Sequence, residues 1–406
     1  MKILIPFSYY YPEHCAGIFV VDDLMHAAAE QGHSSRITVP TPTRNVPAGA
    51  KWERDEYQCN GRIHIHRFRM YGEGKNPILR AIRYLLCECV QLHYMLWKDY
   101  DVAFIDSTPP IQGLKLPIVK LFRRKPIVYN AQDLFPETLS GTGLAKSGGL
   151  LWKIGMWVSK VTFKYSDKII AISEDIKRGI VSRGVPEDKV VVIYNWVDAD
   201  AVKPVEKVDN PLYDEFGLDR DKFTIVYAGN LGNAQNINII VDAASMLPDI
   251  QFAVFGTGGI EDELRKRIAT ENLQNIHLNP LQPFERVSLV YSFGDACIVS
   301  CKAGLGGSAM PSKTWSIMSC GRPVIASFDE GELKDIIEKN DCGLFSHAGN
   351  VDEFVEAIRT LASSPESCAQ MGHNARQFIL QNLTKEVGTQ KYVDVIKSFE
   401  NNTGIL

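Results

Sequence analysis

Short apolar runs that alternate with helical patterns are the feature that most constrains the fold of this 406-residue chain. Each run is continuously apolar, which is typical of a strand that is buried on both faces. Strands of this kind, when helices separate them, form parallel sheets with helices on both sides. The sequence therefore predicts an α/β protein built from doubly wound, Rossmann-like parallel sheets.

The apolar runs form two series, one in each half of the chain. The first series comprises Lys2–Phe7, Ile37–Pro40, Ile63–Phe68, Asp101–Asp106, Pro126–Asn130, Lys168–Ile172 and Val190–Tyr194, and the second comprises Phe223–Gly229, Ile250–Gly256, Ile276–Asn279, Ala296–Ser300, Pro323–Ser327 and Gly343–Ser346. The stretch 204–221 interrupts the pattern with Pro, Asp and Asn, as a linker does. We expect domains at 1–203 and 222–376, and a helical tail at 377–406 that packs back on the first domain.

Composition excludes several classes of protein. Apolar residues make up 45% of the chain and charged residues 23%, as in an ordinary globular protein. The net charge of −4 argues against a nucleic-acid partner. No stretch has the roughly 20 apolar residues of a membrane span, and the start of the chain lacks a secretory leader. Nine scattered cysteines, without zinc-site spacing, predict reduced, mostly buried thiols in the cytoplasm.

The net charge conceals an asymmetry between the two halves. Residues 1–200 carry 26 basic against 21 acidic side chains, and the remaining residues carry 18 against 27. The basic half also contains the apolar, aromatic and basic segments 76–98 and 152–168 and the basic cluster 120–125. Such segments either lie in the headgroup layer of a membrane or form part of a domain core. The sequence leaves both interpretations open.

Glycines follow three of the predicted strands and precede helices. They are Gly17, then Gly229 and Gly232, then Gly256, Gly258 and Gly259. At such points a bare backbone and a helix N-terminus can approach an anion, although a tight turn also uses glycine. Neither a G-x-G-x-x-G fingerprint nor a P-loop is present, which argues against a dinucleotide dehydrogenase and a P-loop NTPase. We therefore expect a phosphate-bearing ligand in a cleft between the two sheets.

A glycine-rich stretch, 304–308, leads to a predicted helix start at Pro311-Ser312-Lys313. A cation in the first turn of a helix opposes the helix dipole by roughly 0.3–1 kcal/mol. A bound diphosphate would remove this conflict, whereas the alternative is that Lys313 is a solvated surface residue.

Five segments together resemble a known enzyme family. They are FSYYYPEHCAG at 7–17, AISEDIKRGIVSRGVPEDKVVVIYNWVD at 171–198, YAGNLGNAQNINIIVDAA at 227–244, VFGTGG at 254–259 and PSKTWSIMSCGRPVIAS at 311–327. Their order is similar to that of the retaining family 4 glycosyltransferases, in particular the bacterial surface-polysaccharide branch with GNLGxAQ and PSK signatures. The resemblance implies the GT-B fold and no required metal or other cofactor. It also implies that the second domain holds most of a nucleotide-sugar donor, usually UDP-linked, and that the first domain holds the acceptor.

The chain departs from the broader family at the donor site. Ser308 and Ser316 stand where the family has paired glutamates, and Asn230 and Gln235 stand where it has an arginine and a lysine. We therefore expect Lys313, Lys302 and the backbone N–H groups at 229–232 and 304–308 to neutralise the diphosphate. The predicted donor-binding residues are Gly17, Gly229, Asn230, Leu231, Gln235, Gly256, Gly258, Lys302, Gly307, Ser308, Pro311, Ser312, Lys313, Ser316 and Glu332. For Glu332 the alternative is a carboxylate that stabilises a helix N-terminus.

The predicted acceptor residues lie in the first half. Asp133 and Glu137 lie in a D-L-F-P-E turn that follows a buried strand, and His14 and Asn195 are further candidates. We expect Asp133 to bind or orient the acceptor hydroxyl, because a carboxylate can accept its proton. Asp133 and Lys313 are thus the predicted catalytic residues.

The remaining histidines are assigned to the structure of the protein. His64 and His66 alternate along a predicted strand and share one face. No metal site is predicted.

The resulting hypothesis is a retaining glycosyltransferase. It would move an N-acetylated hexose or deoxyhexose from a UDP-sugar to a lipid-linked or saccharide acceptor. The product would belong to a capsule, an O-antigen or an exopolysaccharide. The enzyme would work in the cytoplasm, with peripheral contact at the inner face of the membrane. One alternative is a GT-B nucleotide-sugar epimerase, which is disfavoured because carboxylates and histidines are sparse around the predicted donor site. The other is a non-catalytic nucleotide-sugar binder, which the two missing glutamates suggest.

Overall fold

The computed structural model describes residues 1–400 except 14–16, 44–45, 48, 73, 75, 138–145 and 309. The chain forms two compact units. The first unit ends at Tyr194 and takes up the chain again from Glu386, and the second unit is Asn195–Lys385. The stretch 204–221, predicted as a linker, instead lies inside the second unit and includes the short helix Leu212–Phe216. The polar composition of this stretch reflects a turn-rich surface connection rather than a domain boundary.

The first unit contains an eight-stranded sheet in the order β3-β4-β2-β1-β5-β6-β7-β8. The strands are β1 (Lys2–Pro6), β2 (Ser34–Pro40), β3 (Asp55–Gln58), β4 (Ile63–Phe68), β5 (Val102–Asp106), β6 (Ile127–Ala131), β7 (Lys168–Ala171) and β8 (Val190–Val192). The predicted α/β class is confirmed. The prediction of a wholly parallel sheet is wrong at one edge, because β3 runs antiparallel to β4.

Five helices connect these strands within the described part of the first unit. They are α1 (Ile18–Glu30), α2 (Pro77–Trp97), α3 (Leu116–Arg123), α4 (Leu150–Tyr165) and α5 (Glu174–Val181). Local sequence explains where two of them begin. The Asn76 side chain accepts hydrogen bonds from the backbone N–H groups of Ile78 and Leu79, and Pro77 occupies the first turn. The Ser173 hydroxyl caps α5 in the same way.

The second unit contains a six-stranded parallel sheet in the order β11-β10-β9-β12-β13-β14. The strands are β9 (Thr224–Asn230), β10 (Gln251–Thr257), β11 (Ile276–Asn279), β12 (Ala296–Ser300), β13 (Val324–Phe328) and β14 (Gly343–His347). All six were predicted from their apolar runs. The strand order reverses between β9 and β12, and ligands of doubly wound sheets bind at the carboxyl ends of strands beside such a reversal.

The described residues of the second unit form eight helices. They are α6 (Leu212–Phe216), α7 (Asn238–Met246), α8 (Glu261–Thr270), α9 (Val287–Ser292), α10 (Lys313–Ser319), α11 (Glu332–Lys339), α12 (Val351–Ser363) and α13 (Pro365–Asn382). They pack on a core of strand side chains that includes Tyr227, Phe252 and Ile298, each at most 1% exposed.

The last described helix, α14 (Lys385–Lys397), returns to the first unit. The buried Tyr392 hydroxyl donates a hydrogen bond to the Asn130 side-chain oxygen at the end of β6, at 2.9 Å. Gln31 and Gln390 form a second contact between α1 and α14. The return begins at Glu386 rather than at residue 377, because α13 still belongs to the second unit.

Candidate functional site

The loop after β9 is held against the loop after β10 by backbone contacts. The Leu231 N–H donates to the Thr257 carbonyl at 2.9 Å, and the Leu231 carbonyl accepts from the Ile260 N–H at 3.1 Å. A Cβ atom at Gly256 would lie 2.3 Å from the Gly229 oxygen, and one at Gly258 would lie 2.4 Å from the Leu231 oxygen. These two glycines therefore permit the loops to pack together. The Leu231 side chain is buried as well, so both its backbone polar groups and its side chain are already used within the fold.

Gly229 lies at the end of β9, beside the strand reversal, and the Lys313 side chain crosses over it. A Cβ atom at Gly229 would lie 2.9 Å from the Lys313 Nζ, and the Gly229 φ of +139° lies in a region that disfavours other residues. The backbone conformation at this position favours glycine, and a side chain here would displace the Lys313 ammonium group.

Lys313 is half-buried, and its ammonium group lies 4.0 Å from the centre of the Tyr227 ring. Among the residues that the structure describes, this ammonium group has no hydrogen bond and no ion pair. Desolvation lowers the pKa of Lys313 to about 8, so the side chain is still mostly charged at neutral pH. A poorly solvated cation beside bare backbone favours the binding of an anion. The site therefore has the charge to attract a phosphate group.

The glycine-rich stretch before α10 is already tied to Asp329. One carboxylate oxygen of Asp329 accepts from the Gly304 N–H at 3.0 Å, and the other accepts from the Gly306 N–H at 2.8 Å. The expectation that the stretch 304–308 offers free N–H groups is therefore wrong for these two residues, and the Leu305 N–H also donates within the fold, to the Lys302 carbonyl at 3.2 Å. Gly307 is exposed, and a Cβ atom there would meet nothing within 4 Å.

The other predicted donor residues occupy different environments. Asn230 donates to the Gln235 side-chain oxygen at 3.3 Å, which joins both residues beside Gly232. Lys302 and Ser312 are exposed, and Pro311 and Ser316 are half-buried. Ser312 precedes α10 without forming a side-chain cap. The side chain of Ser308 lies outside the described residues.

Glu332 is buried in the first turn of α11, a position where a carboxylate stabilises the helix dipole. This placement fits the alternative interpretation of Glu332 that the sequence left open.

An apolar hollow of about 230 Å³ adjoins Gly229. Its lining residues are Ala228, Gly229, Phe255, Leu281, Gln282, Pro283, Phe284, Val287, Val290 and Tyr291. Phe284 and Leu281 are 69% and 53% exposed, so the hollow presents apolar surface that a ligand could cover. The sequence contains no local signal for this hollow, because its lining residues come from four separate elements.

In the first unit, Asp106 is a buried carboxyl group that the sequence analysis did not select. It ends β5, where the sheet order also reverses, and it accepts hydrogen bonds from Asn130 Nδ2 at 3.0 Å and the Thr108 N–H at 3.2 Å. Burial raises the pKa of Asp106 to about 7, and the negative charge of Asp133 adds to this effect. The sequence signal for this residue is a carboxylate at the end of the apolar strand VAFID.

The predicted acceptor residues are not equivalent in the structure. Asp133 is exposed, although the surrounding protein raises its pKa. Both carboxylate oxygens of Glu137 accept from Arg183 Nη2 at 2.5 Å, and Arg183 also donates to the Phe135 carbonyl. Glu137 therefore holds its turn in place through Arg183, and its role in acceptor binding stays a prediction.

The predicted acceptor residues Asn195 and His14 and the predicted donor residue Gly17 complete the set. Asn195 is buried at the start of the second unit, and Gly17 precedes α1 with a left-handed φ of +88°. His14 lies outside the described residues.

Three neighbouring helices, α2, α3 and α4, present an unusual surface in the first unit. Their exposed large apolar side chains are Ile78, Leu79, Ile82, Leu85, Leu86, Trp97, Ile118, Leu121, Phe122, Leu150, Leu151, Ile154 and Trp157, which we call the α2–α4 surface. Exposed basic residues, including Arg80, Lys153 and Lys160, lie among them. The sole acidic residue in these three helices is Glu88, which is buried. None of the described helices is both long and apolar enough to span a bilayer.

Comparison with known proteins identifies both halves of the chain. Residues 19–201 match the model of Glycosyltransferase Family 4, and residues 212–378 match the model of Glycosyl transferases group 1. The chain is 25% identical over 414 aligned residues to the putative colanic acid biosynthesis glycosyl transferase WcaI of Escherichia coli K12, with 98% of this chain and 100% of that protein covered.

Solved structures share the fold. HepE of Anabaena, crystallised in complex with UDP, superposes with a TM-score of 0.73 at 17% identity, with 98% of this chain and 100% of that chain covered. Sucrose-phosphate synthase of Thermosynechococcus elongatus superposes with a TM-score of 0.78 at 16% identity, with 99% of each chain covered. The two parallel-sheet units are thus those of the GT-B architecture, as the sequence predicted.

Proposed function

Given that this chain is a glycosyltransferase, with a family 4 domain followed by a group 1 domain, we propose that it transfers a sugar from a UDP-sugar to a lipid-linked or saccharide acceptor, with retention of anomeric configuration. The product would be part of a cell-surface polysaccharide such as a capsule or O-antigen. The single observation that carries the donor assignment is the ammonium group of Lys313, which crosses Gly229 without a counter-charge among the described residues.

A diphosphate would supply that counter-charge. The β9 strand end lies beside the reversal of the second sheet, where doubly wound folds bind their ligands. An ammonium group with reduced solvation gains more from an anion than an exposed lysine does, because water screens the pair less. We therefore assign the donor diphosphate to Lys313 and to the backbone around Gly229.

The apolar hollow beside Gly229 suits a nucleobase. Its aromatic and proline side chains offer flat surface next to the phosphate position, and bases stack on such surfaces. The choice of uridine is supported by the HepE complexes with UDP and with UDP-glucose. For the sugar we propose an N-acetylated hexose or deoxyhexose.

For the acceptor we propose Asp133 as the residue that orients the attacking hydroxyl. Asp133 is exposed at the end of the β6 turn, and its raised pKa makes it a better proton acceptor than an ordinary surface aspartate. Same-face attack would leave the departing phosphate able to take the proton, so Asp133 needs only to position the hydroxyl.

We also propose that the α2–α4 surface binds the cytoplasmic face of an anionic membrane. The surface has thirteen exposed apolar side chains, and its three helices carry exposed basic residues but no exposed acidic ones. It therefore combines burial of apolar area with attraction to anionic lipids, the two forces that hold a peripheral protein at a bilayer. A lipid-linked acceptor would reside in that membrane. The relatedness to WcaI, which is named for colanic acid biosynthesis, supports a polysaccharide product.

The test is a screen of nucleotide sugars in two stages. A thermal-shift assay with UDP, UDP-hexoses and GDP-hexoses identifies the donor, because a ligand of the folded state raises the melting temperature. UDP release is then measured with lipid-linked acceptors, and the anomeric configuration of the product is read by NMR. UDP binding with no transfer and no donor hydrolysis would indicate the non-catalytic binder, and a change of sugar stereochemistry without transfer would indicate an epimerase.

A further inference from the structure

Two histidines and an aspartate converge at the antiparallel edge of the first sheet, away from the strand ends discussed above. His64 and His66 lie two residues apart on β4, so both side chains point to one face of the sheet. Asp55 on β3 pairs directly with His66, and its Oδ1 lies 2.8 Å from His64 Nε2 and 2.6 Å from His66 Nδ1. One potential ligand atom from each residue falls within 4.8 Å of the other two.

The backs of both imidazole rings are held by neighbouring aromatic residues. The Tyr94 hydroxyl forms a hydrogen bond of 2.8 Å with His66 Nε2, which leaves Nδ1 directed at Asp55. The Tyr57 ring stacks on His64 with centroids 4.4 Å apart and an interplanar angle of 14°. A hydrogen-bond partner on the second ring nitrogen, as Tyr94 is for His66, fixes the orientation and tautomer of a ligating histidine and is characteristic of metal sites.

We propose that Asp55, His64 and His66 form a binding site for a divalent transition-metal ion, Zn²⁺ being the best match. Two imidazole nitrogens and one carboxylate oxygen are ligands typical of Zn²⁺ and Co²⁺, whereas Mg²⁺ and Ca²⁺ select sets of oxygen atoms. Asp55 Oδ1 now lies at hydrogen-bond distance from both imidazole nitrogens, so binding requires each of these two separations to grow by less than about 1 Å to reach tetrahedral spacing. Asp55 is 39% exposed, so water can complete the coordination.

The proposed ion would join the edge strand β3 to β4. The four residues of β3 are polar and pair with the sheet on one side only, so few apolar contacts hold this strand. An ion bound by one residue of β3 and two of β4 would stabilise the edge without contributing to sugar transfer. This site is independent of the proposed donor site, so either proposal can fail without the other.

The test is a Co²⁺ titration of full-length protein without a histidine tag, followed by visible absorption spectroscopy. We expect one Co²⁺ per chain, no thiolate charge-transfer band from the exposed Cys59 or Cys89, and displacement of Co²⁺ by Zn²⁺. His64→Ala, His66→Ala and Asp55→Asn should each weaken binding at least about tenfold, and Tyr94→Phe by about 10-fold through the orientation of His66. The matched control is His373→Ala, since His373 is exposed on α13 in the second unit.

An unchanged far-UV circular dichroism spectrum and a cooperative urea transition show that each variant is folded. The proposal is overturned if the wild-type protein binds no Co²⁺, if a thiolate band appears, or if the double variant His64→Ala/His66→Ala binds Co²⁺ as the wild-type protein does.

Discussion

Two lysines with desolvated ammonium groups occupy opposite kinds of environment in this molecule. In the first unit, Lys115 Nζ donates to Glu88 Oε2 at 2.6 Å, to Gln91 Oε1 at 2.8 Å and to Gln112 Oε1 at 3.1 Å. In the second unit, the Lys313 ammonium group crosses Gly229 and lies over the Tyr227 ring, and it has no hydrogen bond or ion pair among the described residues. Desolvation lowers the pKa of both lysines, but Glu88 opposes this effect at Lys115 alone.

The difference separates a structural cation from one that is available for binding. Lys115 satisfies all three of its donors, and Gln91 and Gln112 extend the network to the backbone carbonyls of Phe7 and Thr108. Lys313 has the desolvation without the compensating partners, an arrangement common at functional sites. Substitution by methionine, which keeps the length of the side chain without its charge, tests this difference at both positions.

Lys115→Met should have the largest effect of the substitutions, and this effect is a loss of stability. Removing the ammonium group leaves the buried carboxylate of Glu88 without its cation, which costs about 3–5 kcal/mol of unfolding free energy. Urea denaturation measures this loss. The UDP affinity of the folded fraction should be unchanged, and a loss below about 1 kcal/mol would contradict a structural role for Lys115.

Lys313→Met should have the reverse effect. We expect kcat/KM for sugar transfer to fall about 100-fold, equivalent to about 2.7 kcal/mol, because the donor diphosphate loses its cation. Unfolding free energy at pH 7 should be unchanged or higher, because no buried partner is left behind. Steady-state kinetics and urea denaturation on the same preparation decide the matter: a destabilised variant with normal kinetics would make Lys313 structural.

Gly229→Ala should weaken donor binding by about tenfold, equivalent to about 1.4 kcal/mol. The added methyl group would meet Lys313 Nζ at 2.9 Å and would strain the backbone at φ +139°. The matched control is Gly259→Ala, because a Cβ atom at Gly259 meets nothing within 4 Å. Titration calorimetry with UDP compares the two variants, and equal affinities would remove Gly229 from the site.

Leu121→Glu should have the smallest effect, on membrane binding. Replacing an exposed apolar residue of the α2–α4 surface by an acidic one should reduce binding to anionic vesicles several-fold, since each charge near such a surface contributes about 1 kcal/mol. Val208→Glu is the control, because Val208 is similarly exposed, at 76%, but belongs to the second unit. Vesicle co-sedimentation measures both, and the proposal fails if the two variants bind equally.

Much of the fold was predictable from the sequence, because buried parallel strands are continuously apolar. The strand β3 was missed for the same reason: its sequence DEYQ is polar, and only its pairing with β4 makes it a strand. The linker was misplaced because turn residues at 204–221 mark a surface connection as readily as a boundary.

The candidate site was predictable only in part. Lys313 was selected because a cation in the first turn of a helix is unfavourable, a property that local sequence reveals. The pairing of Glu137 with Arg183 joins residues 46 positions apart, and the contact of Asp329 with Gly304 joins residues 25 apart, so neither pair leaves a local signal. Asp106 could have been found from its position at the end of an apolar strand.

The central claim is that the charge of Lys313 binds the donor diphosphate, and its pH dependence tests it most directly. Lys313 has a lowered pKa in the folded protein, so its burial as a cation destabilises the fold below pH 8, and this cost is relieved as pH rises from about 8 toward the unfolded value of 10.5. UDP requires the charged form, so its affinity should change in the opposite sense. Titration calorimetry with UDP at pH 7 and pH 9 should show about a tenfold loss of affinity in the wild-type protein and weak, pH-independent binding in Lys313→Met. Wild-type affinity that is equal at the two pH values, or a Lys313→Met variant that binds as tightly as the wild-type protein, would contradict the account.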